Sequence, residues 1–159
     1  MVTQKDPEGR PTIFDYFKNI EARIFPVGRL DFDSEGLLLL TNDGDLTYKL
    51  THPKSKVPKT YEVKVAGIPT EEKIAQLEKG IQLDWGTTQP TKVKIFKKTE
   101  GNCWLLISLT EGKNRQVREM VEKIGHRVIK LRRIAIGPFK LGDLKPGQSK
   151  KIHPKNIAV

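Results

Sequence analysis

Four ionisable side chains precede a run of leucines in one short segment of the chain, Gly28-Arg29-Leu30-Asp31-Phe32-Asp33-Ser34-Glu35-Gly36-Leu37-Leu38-Leu39-Leu40. The leucine run has no polar face, so residues 36–40 are predicted to form a strand in the centre of a sheet. Ionisable groups beside such a core are costly unless they are solvated or have a functional task. Residues 28–36 are therefore either an ordinary polar turn between strands or an active-site loop.

Outside this segment the chain alternates between strand and helix patterns. Tyr61, Val63 and Val65 share one face of an alternating segment at 60–65, and the apolar residues of 116–125 repeat at helical spacing. The same reasoning predicts strands at 24–27, 92–97, 103–109, 128–131, 133–136 and 149–152, a short helix after Thr12, a helix capped by Asp45 and a helix starting at Thr70. These elements together predict an α+β domain built on an antiparallel sheet.

Length and composition exclude several protein classes. The 159 residues suit one domain, and 36% apolar residues plus 13 glycines are enough for a packed core. The single Cys103 excludes a disulfide scaffold and is typical of a reducing cytosol. We find no apolar stretch near the ~20 residues that span a bilayer and no signal peptide at the N terminus. We therefore expect a cytoplasmic protein that is not bound to a membrane.

The charge is distributed unevenly along the chain. The net charge is +10, with a pI near 9.7. Residues 1–89 carry a net charge of −2, whereas residues 90–159 carry +12. Such a basic region is expected of a protein that binds nucleic acid, because it neutralises phosphates and releases their counterions. A lysine-rich solvated surface is the alternative interpretation.

A cluster of cations stands at a predicted strand-to-helix junction, Glu111-Gly112-Lys113-Asn114-Arg115-Gln116-Val117-Arg118. Cations near a helix N-terminus oppose the helix dipole, so the cluster favours binding of an external anion such as phosphate. The alternative is that Arg115 pairs with Glu119 and Arg118 with Glu122, both at i, i+4. Such surface pairs contribute only ~0.3–0.5 kcal/mol each, which explains the cluster poorly.

An aromatic side chain stands on the apolar face of the predicted strand in Lys59-Thr60-Tyr61. A tyrosine in this position usually belongs to the core. It can also stack on a nucleobase, an interaction of roughly 1–3 kcal/mol in proteins that bind single strands.

Taken in order, these segments resemble the RsuA/RluB-type ribosomal RNA pseudouridine synthases. The resemblance rests on three motifs and on the opening Asp6-Pro7-Glu8-Gly9-Arg10-Pro11-Thr12, and it covers nearly the whole chain; the motifs are 28–44, Lys59-Thr60-Tyr61-Glu62-Val63 and 111–118. It implies a pseudouridine synthase fold, with a mixed, mostly antiparallel sheet, flanking helices and a catalytic cleft on the sheet. It also implies that residues 1–159 form an N-terminally shortened catalytic domain, without an S4-type RNA-binding domain or the first strand.

The resemblance also implies roles for individual residues. Asp31 matches the essential aspartate, Tyr61 the tyrosine that packs against the target base, and Arg118 the basic residue that pairs with the aspartate. We expect these three to be catalytic. The expected substrate-binding residues are Arg29, Leu30, Phe32, Lys113, Asn114, Arg115, Gln116 and Leu131. The expected substrate is ribosomal RNA, with large-subunit RNA favoured, and we expect a monomer.

The implied reaction agrees with the residue types present. Isomerising uridine to pseudouridine breaks one glycosidic bond and makes another, which needs neither a metal nor a redox cofactor. His52, His126 and His153 show no zinc-like spacing with Cys103, and we find no glycine-rich phosphate loop. We therefore expect no metal and no cofactor.

Two other functions fit part of the pattern. A non-catalytic RNA-binding protein on the same scaffold would explain the charge and Tyr61, but it would tolerate Asp31→Asn. A glycoside hydrolase would use Asp31 and Asp33 as its acid pair. The basic charge of the protein suits phosphate better than neutral sugar, which disfavours this alternative.

Overall fold

Six strands form the main sheet of the computed structural model, which describes residues 7–153, and five of them follow one another in a single order. In spatial order they are β10 (Phe139–Lys140), β9 (Val128–Ile136), β4 (Lys59–Ala66), β8 (Asn102–Leu109) and β7 (Lys92–Thr99), numbered along the chain. Every neighbouring pair in this order is antiparallel. A two-residue strand, β2 (Glu35–Gly36), joins β9 in parallel. The predicted α+β class with a mostly antiparallel sheet is confirmed.

Alternation along the strands gives the main sheet two different faces. On β8, Cys103, Leu105 and Ile107 are fully buried while the residues between them are partly exposed. The buried face packs against α2 (Glu71–Lys79) and α3 (Gln116–Lys123), whose Leu77 and Met120 are also fully buried. We call this the helix-covered face. The residues between the buried ones form the open face, which includes Glu62, Lys64, Trp104 and Arg132.

A smaller unit packs beside one end of the main sheet. It contains the antiparallel pair β1 (Phe25–Val27) and β3 (Leu39–Thr41) and the helix α1 (Gly44–Thr51). Its own core joins Val27, Leu37 and Leu50 to Ile136 and Phe139 of the main sheet. The remaining elements are two 3-10 helices, Ile13–Tyr16 and Pro53–Ser55, and the short hairpin of β5 (Gln82–Leu83) and β6 (Gly86–Thr87).

The prediction of one central strand at 36–40 is wrong. The segment divides into β2, which pairs with β9, and β3, which pairs with β1. Gly36 accounts for the division, because it has a φ of +116° and a Cβ at this position would collide with the backbone of Arg133. Leu37 and Leu38 therefore connect two sheets, and Leu39 and Leu40 belong to the β1–β3 pair.

Several smaller predictions also change. The cap of α1 is Asp43 and not Asp45, since the Asp43 carboxylate accepts from the backbone N–H groups of Asp45 and Leu46. The predicted strands at 128–131 and 133–136 are one continuous strand, β9. Residues 149–152 do not form a strand, and the 82–87 hairpin was not predicted. The helix after Thr12 is a 3-10 helix, and Thr70 caps α2 as predicted.

Candidate active site

The loop that carries Asp31 is a tight turn clamped to the start of α3. The backbone N–H of Ser34 donates to the Asp31 carbonyl at 3.0 Å and closes the turn. Arg115 then holds Asp33 with two hydrogen bonds, from Nη1 to Oδ1 and from Nη2 to Oδ2, each 3.0 Å long. Paired bonds of this kind fix orientation as well as distance, so the turn is anchored to residues more than 80 positions away in the chain.

Arg118 supplies a second anchor for the same turn. Its Nη2 donates to the Asp33 carbonyl at 2.7 Å and to Ser34 Oγ at 3.3 Å, and it lies 3.3 Å from the Asp33 carboxylate. The expected pairing of Arg118 with Asp31 is therefore not the arrangement found. The cation near Asp31 is Arg115, with 3.9 Å between Nη1 and Oδ2. The shift arises because the turn directs the Asp33 carboxylate towards both arginines.

The ion pairs in the structure do not support the alternative explanation of the cation cluster, in which each arginine pairs with a glutamate of its own helix. Within residues 7–153, neither Arg115 with Glu119 nor Arg118 with Glu122 is an ion pair, and both arginines contact the 31–34 turn instead. Hydrogen bonding from Arg115, followed by the charges of Arg118 and Arg115, lowers the pKa of Asp33 below its usual 3.8, while desolvation opposes this shift. The arginines thus act on a neighbouring segment and not on their own helix.

The backbone at Arg115 is unusual. Arg115 is the N-cap residue of α3 and has a φ of +55°, in the left-handed region that residues other than glycine rarely occupy. Such strain persists only where the surroundings enforce it and clusters at functional sites. Here the left-handed turn accompanies the double hydrogen bond from the Arg115 guanidinium to Asp33.

Gln116 lies inside the protein and does not face the surface. Only 3% of it is exposed. Its Oε1 accepts from the Lys113 N–H at 3.1 Å and its Nε2 donates to Glu111 at 2.7 Å. Its polar atoms are thus occupied by the loop itself, and Gln116 supports residues 111–115 from beneath. This differs from the expected contact with substrate.

Two residues of the 111–118 motif stand at the surface beside an exposed tryptophan. Lys113 and Asn114 are exposed, and the Lys113 ammonium lies 5.6 Å from the ring centre of Trp85, within range of a cation–π contact. Trp85 lies in the turn of the β5–β6 hairpin. The hairpin therefore extends the basic surface next to the clamped turn with an aromatic ring.

The tip of the turn is open to solvent. The Asp31 side chain is 23% exposed, and Phe32 is 85% exposed, which is unusual for so large an apolar residue. Arg29 is also exposed, and Leu30 is partly buried. Among the described residues, no group of three or more His, Cys, Asp or Glu side chains could hold a metal ion, and no helix is long and apolar enough to cross a membrane.

Comparisons with known proteins show the family of the chain. The model of the family described as RNA pseudouridylate synthase matches residues 2–123. The chain belongs to this family. It is 47% identical over 155 residues to ribosomal large subunit pseudouridine synthase B of Bacillus subtilis, covering 96% of this chain and 64% of that protein. It is 45% identical over 161 residues to ribosomal large subunit pseudouridine synthase E of Vibrio parahaemolyticus, covering 92% of this chain and 67% of that protein.

Solved structures confirm the pseudouridine synthase fold. A crystal structure of a pseudouridylate synthase superposes with a TM-score of 0.82 at 32% identity, over 91% of this chain and 63% of that one. A protein in an H/ACA ribonucleoprotein bound to a substrate RNA shares the fold alone, with a TM-score of 0.59 at 16% identity over 75% of this chain and 40% of that one. The chain spans about two thirds of the length of the curated relatives it matches.

Tyr61 of this pseudouridine synthase domain stands opposite a buried arginine. In the register between β4 and β9, Tyr61 pairs with Arg133 and Val63 pairs with Leu131. Tyr61 is partly buried and packs against the main core, as a core residue would. Leu131 is buried in that core one cross-strand pair further along. Tyr61 and Leu131 are therefore adjacent on the helix-covered face of the sheet.

Arg133 is the most important residue that the sequence reasoning missed. It is only 5% exposed, and its Nε donates to the Leu37 carbonyl at 2.9 Å while Nη1 lies 3.5 Å from the Arg29 carbonyl. It thus contacts both ends of the loop that carries Asp31. Its Nη2 is buried without a hydrogen-bond partner in the described structure. Burial lowers the pKa of Arg133, and the nearby Tyr61 side chain partly opposes this.

Lys59 is a further cation close to this site. Burial, and then the charge of Arg133, lowers the pKa of the Lys59 ammonium. A Cβ added to Gly112 would lie 3.9 Å from Lys59 Nζ, which places Lys59 beside the 111–118 motif. The Lys59-Thr60-Tyr61 motif could have indicated Lys59. Arg133 lies in the segment Lys130-Leu131-Arg132-Arg133, whose sequence does not reveal which of its cations is buried.

Proposed function

We propose that this chain is the catalytic part of a ribosomal RNA pseudouridine synthase that isomerises a uridine of large-subunit RNA. The names of the relatives from Bacillus subtilis and Vibrio parahaemolyticus favour this substrate. The proposal rests on one observation, the different hydrogen bonding of two aspartates. Asp33 takes the arginine hydrogen bonds, whereas the partly exposed Asp31 carboxylate accepts none from the described residues.

We assign Asp31 the role of essential nucleophile or base. Its oxygens are not occupied by hydrogen bonds from the described residues, so a bound nucleotide can approach them, and Arg115 at 3.9 Å is close enough to act on a charge that changes during reaction. The reaction breaks the N1–C1′ bond, turns the base and joins C5 to C1′. A carboxylate at this position serves attack on C6, attack on C1′ or removal of the C2′ proton.

The other site residues support this reaction from separate directions. Tyr61 provides an aromatic ring against which the target base can pack and a hydroxyl for proton transfer. Arg118 and Arg115 hold the turn through Asp33 and leave the Asp31 carboxylate partly exposed. Lys113, Asn114 and Arg115 line the basic surface that would take up phosphates of the RNA.

Access to the base requires the target nucleotide to leave its stack. Phe32 stands at the tip of the turn next to Asp31 and is almost fully exposed, so it is placed to enter the gap that the nucleotide leaves. Exposed Arg29 can hold a phosphate on the same side. We assign both residues to substrate binding on these grounds.

The monomeric state and cytoplasmic location belong to the same proposal. The thiol of Cys103 is free and fully buried, which suits a reducing compartment. Sedimentation of the purified chain at several concentrations would test the monomer, and a concentration-dependent increase in mass would refute it.

Pseudouridine formation in an unmodified large-subunit RNA transcript tests the proposed function. We expect product from the wild type and a loss of at least ~10²-fold in the single-turnover rate for Asp31→Asn, with RNA binding retained. Asp45→Asn is the matched control, since it makes the same change at an exposed carboxylate outside this site and should leave the rate unchanged. Equal rates for wild type and Asp31→Asn would refute the assignment of Asp31. No product from wild type that binds the RNA would refute the enzyme.

A further inference from the structure

The open face of the main sheet combines aromatic rings with positive charge. Trp104 lies between the fully buried Cys103 and Leu105, so its side chain is on the face opposite the helices. Phe96 is 43% exposed, and its ring centre lies 6.3 Å from that of Trp104. The register irregularity between Ile95 and Lys97 places Phe96 opposite no residue of β8.

These rings border a cavity of about 210 Å³ that is lined by Glu62, Phe96, Lys97, Trp104 and Arg132. Arg132 is paired with Glu62 at 2.6 Å, which leaves this central pair electrically neutral. A second cavity of about 530 Å³ adjoins it through the same pair and includes Lys140. The two depressions therefore lie side by side on the open face, on either side of the Glu62–Arg132 pair.

The charge on this face is not neutralised by the protein. In the described part of the chain, Lys64, Lys94, Lys97 and Lys140 make no ion pair. Lys64 and Lys97 both pair with Trp104 in the strand register, so cations flank the ring from two neighbouring strands. An exposed ring (Phe96) and a partly exposed ring (Trp104) among unpaired cations suit single-stranded nucleic acid, in which bases stack and phosphates are held electrostatically.

We propose that the open face binds a single-stranded segment of RNA, with a base on Trp104 and Phe96 and its backbone on Lys64, Lys94 and Lys97. The inference rests on the proposed function, because it assigns a second contact to the same RNA. Tyr61 belongs to the opposite face of β4 from Glu62, so this surface is separate from the site at Asp31. The face would hold RNA that flanks the target and would lower KM without affecting the chemical step.

The chain provides its own probe for this binding. It contains two tryptophans, Trp85 and Trp104, so Trp85→Phe leaves Trp104 as the only one. We expect a ten-nucleotide oligouridylate to quench Trp104 fluorescence in a saturable manner, with weaker binding as salt increases. In the same background Phe96→Ser/Lys97→Ala should weaken binding about tenfold, which corresponds to the loss of roughly one base stack.

Ile68→Ser/Lys79→Ala is the matched control, because it removes one exposed apolar residue and one exposed lysine outside this face. It should leave the dissociation constant unchanged. Absence of Trp104 quenching while the oligonucleotide binds by filter assay would refute the inference, as would equal weakening in the control. Fluorescence that changes with protein concentration but not with RNA would show a second copy of the chain on the face and would also refute it.

Turnover separates this inference from the proposed function. With a long RNA transcript, Phe96→Ser/Lys97→Ala should raise KM about tenfold and leave kcat unchanged. Product formation that no longer depends on Asp31 would refute the proposed function without affecting the quenching result. A transcript KM equal to that of the wild type, with Asp31-dependent product, would refute only the open face as an RNA surface.

Discussion

Replacement of Arg133 tests how the catalytic turn is held in place. Arg133→Met keeps much of the side-chain volume but removes the donors to the Leu37 and Arg29 carbonyls. The bond to Leu37 is charge-assisted and short, and bonds of this class contribute about 1.5–3 kcal/mol. The 3.5 Å contact to Arg29 lies beyond ordinary hydrogen-bond range and adds little.

An opposing effect limits the loss of stability. Arg133 is 5% exposed and makes no ion pair within residues 7–153, so its guanidinium is buried without a carboxylate. Removing that charge relieves part of its desolvation cost. We therefore expect the free energy of unfolding to fall by no more than about 2 kcal/mol, which a domain with ~5–15 kcal/mol of stability tolerates.

The effect on the chemical step should exceed the effect on stability. If the loop from Arg29 to Leu37 shifts by about 1 Å, the misplaced carboxylate can reduce the rate by ~10²-fold, equivalent to about 2.7 kcal/mol of activation free energy. Single-turnover pseudouridine formation under saturating enzyme, well below the melting temperature, would measure this. Arg133→Lys should be intermediate, because it restores the charge but not the planar fork.

Arg127→Met is the control for this prediction, since Arg127 is exposed and lies just before the same strand. It should leave both kcat and KM unchanged. The reasoning is refuted if folded Arg133→Met turns over within about threefold of the wild type. It is also refuted if the rate loss appears only as an increase in KM, because a displaced Asp31 should lower kcat.

Three further perturbations have defined outcomes. The pKa of Asp33 is lowered in the folded state. Its pairing with the arginines therefore stabilises the protein above pH 3.8, and this effect is lost as the pH falls through the pKa of Asp33 in the folded state. Asp33→Asn should therefore lower the free energy of unfolding by about 1 kcal/mol or less at neutral pH, and denaturant titrations should show the difference vanishing in acid; a constant difference would contradict this. Gly36→Ala should cost at least ~2 kcal/mol in a thermal melt, because Cβ meets the Arg133 backbone and φ is positive, and an unchanged melting temperature would exclude the close approach. Phe32→Ala should slow single-turnover modification of structured RNA more than of an unpaired oligonucleotide, and equal slowing on both would count against its role in base flipping.

Local patterns were sufficient for most of the main sheet and its helices. The alternation of β4 and β8 and the helical spacing of α3 are properties of consecutive residues, and each element lies close to its predicted bounds. The prediction of one strand at 36–40 was wrong because the pairing depends on a contact between residues distant in sequence. The apolar composition of the leucine run fits a buried strand, but its pairing depends on Gly36 meeting the backbone of Arg133, almost a hundred residues later.

The candidate site was predictable in its residue types and less so in its contacts. Asp31, Arg115 and Arg118 are brought to one place, although 82–85 positions separate Asp33 from the two arginines. The turn closed by Ser34 decides which aspartate accepts hydrogen bonds from the arginines. No sequence pattern distinguishes two aspartates that are two residues apart. Arg133 escaped notice because burial of one cation in a basic strand depends on its cross-strand neighbours.

The fold explains part of the uneven distribution of charge along the chain. The acidic turn comes from the first half, and the arginines that clamp it come from the basic second half, so part of the opposite charge is used internally. Arg115 and Arg118 donate their hydrogen bonds to Asp33. The Asp31 carboxylate therefore accepts none from the described residues and is available to a nucleotide. The proposed role of Asp31 as nucleophile needs a rigid support more than a neutralising partner. The buried Arg133, which contacts both ends of the loop, provides that support from the sheet.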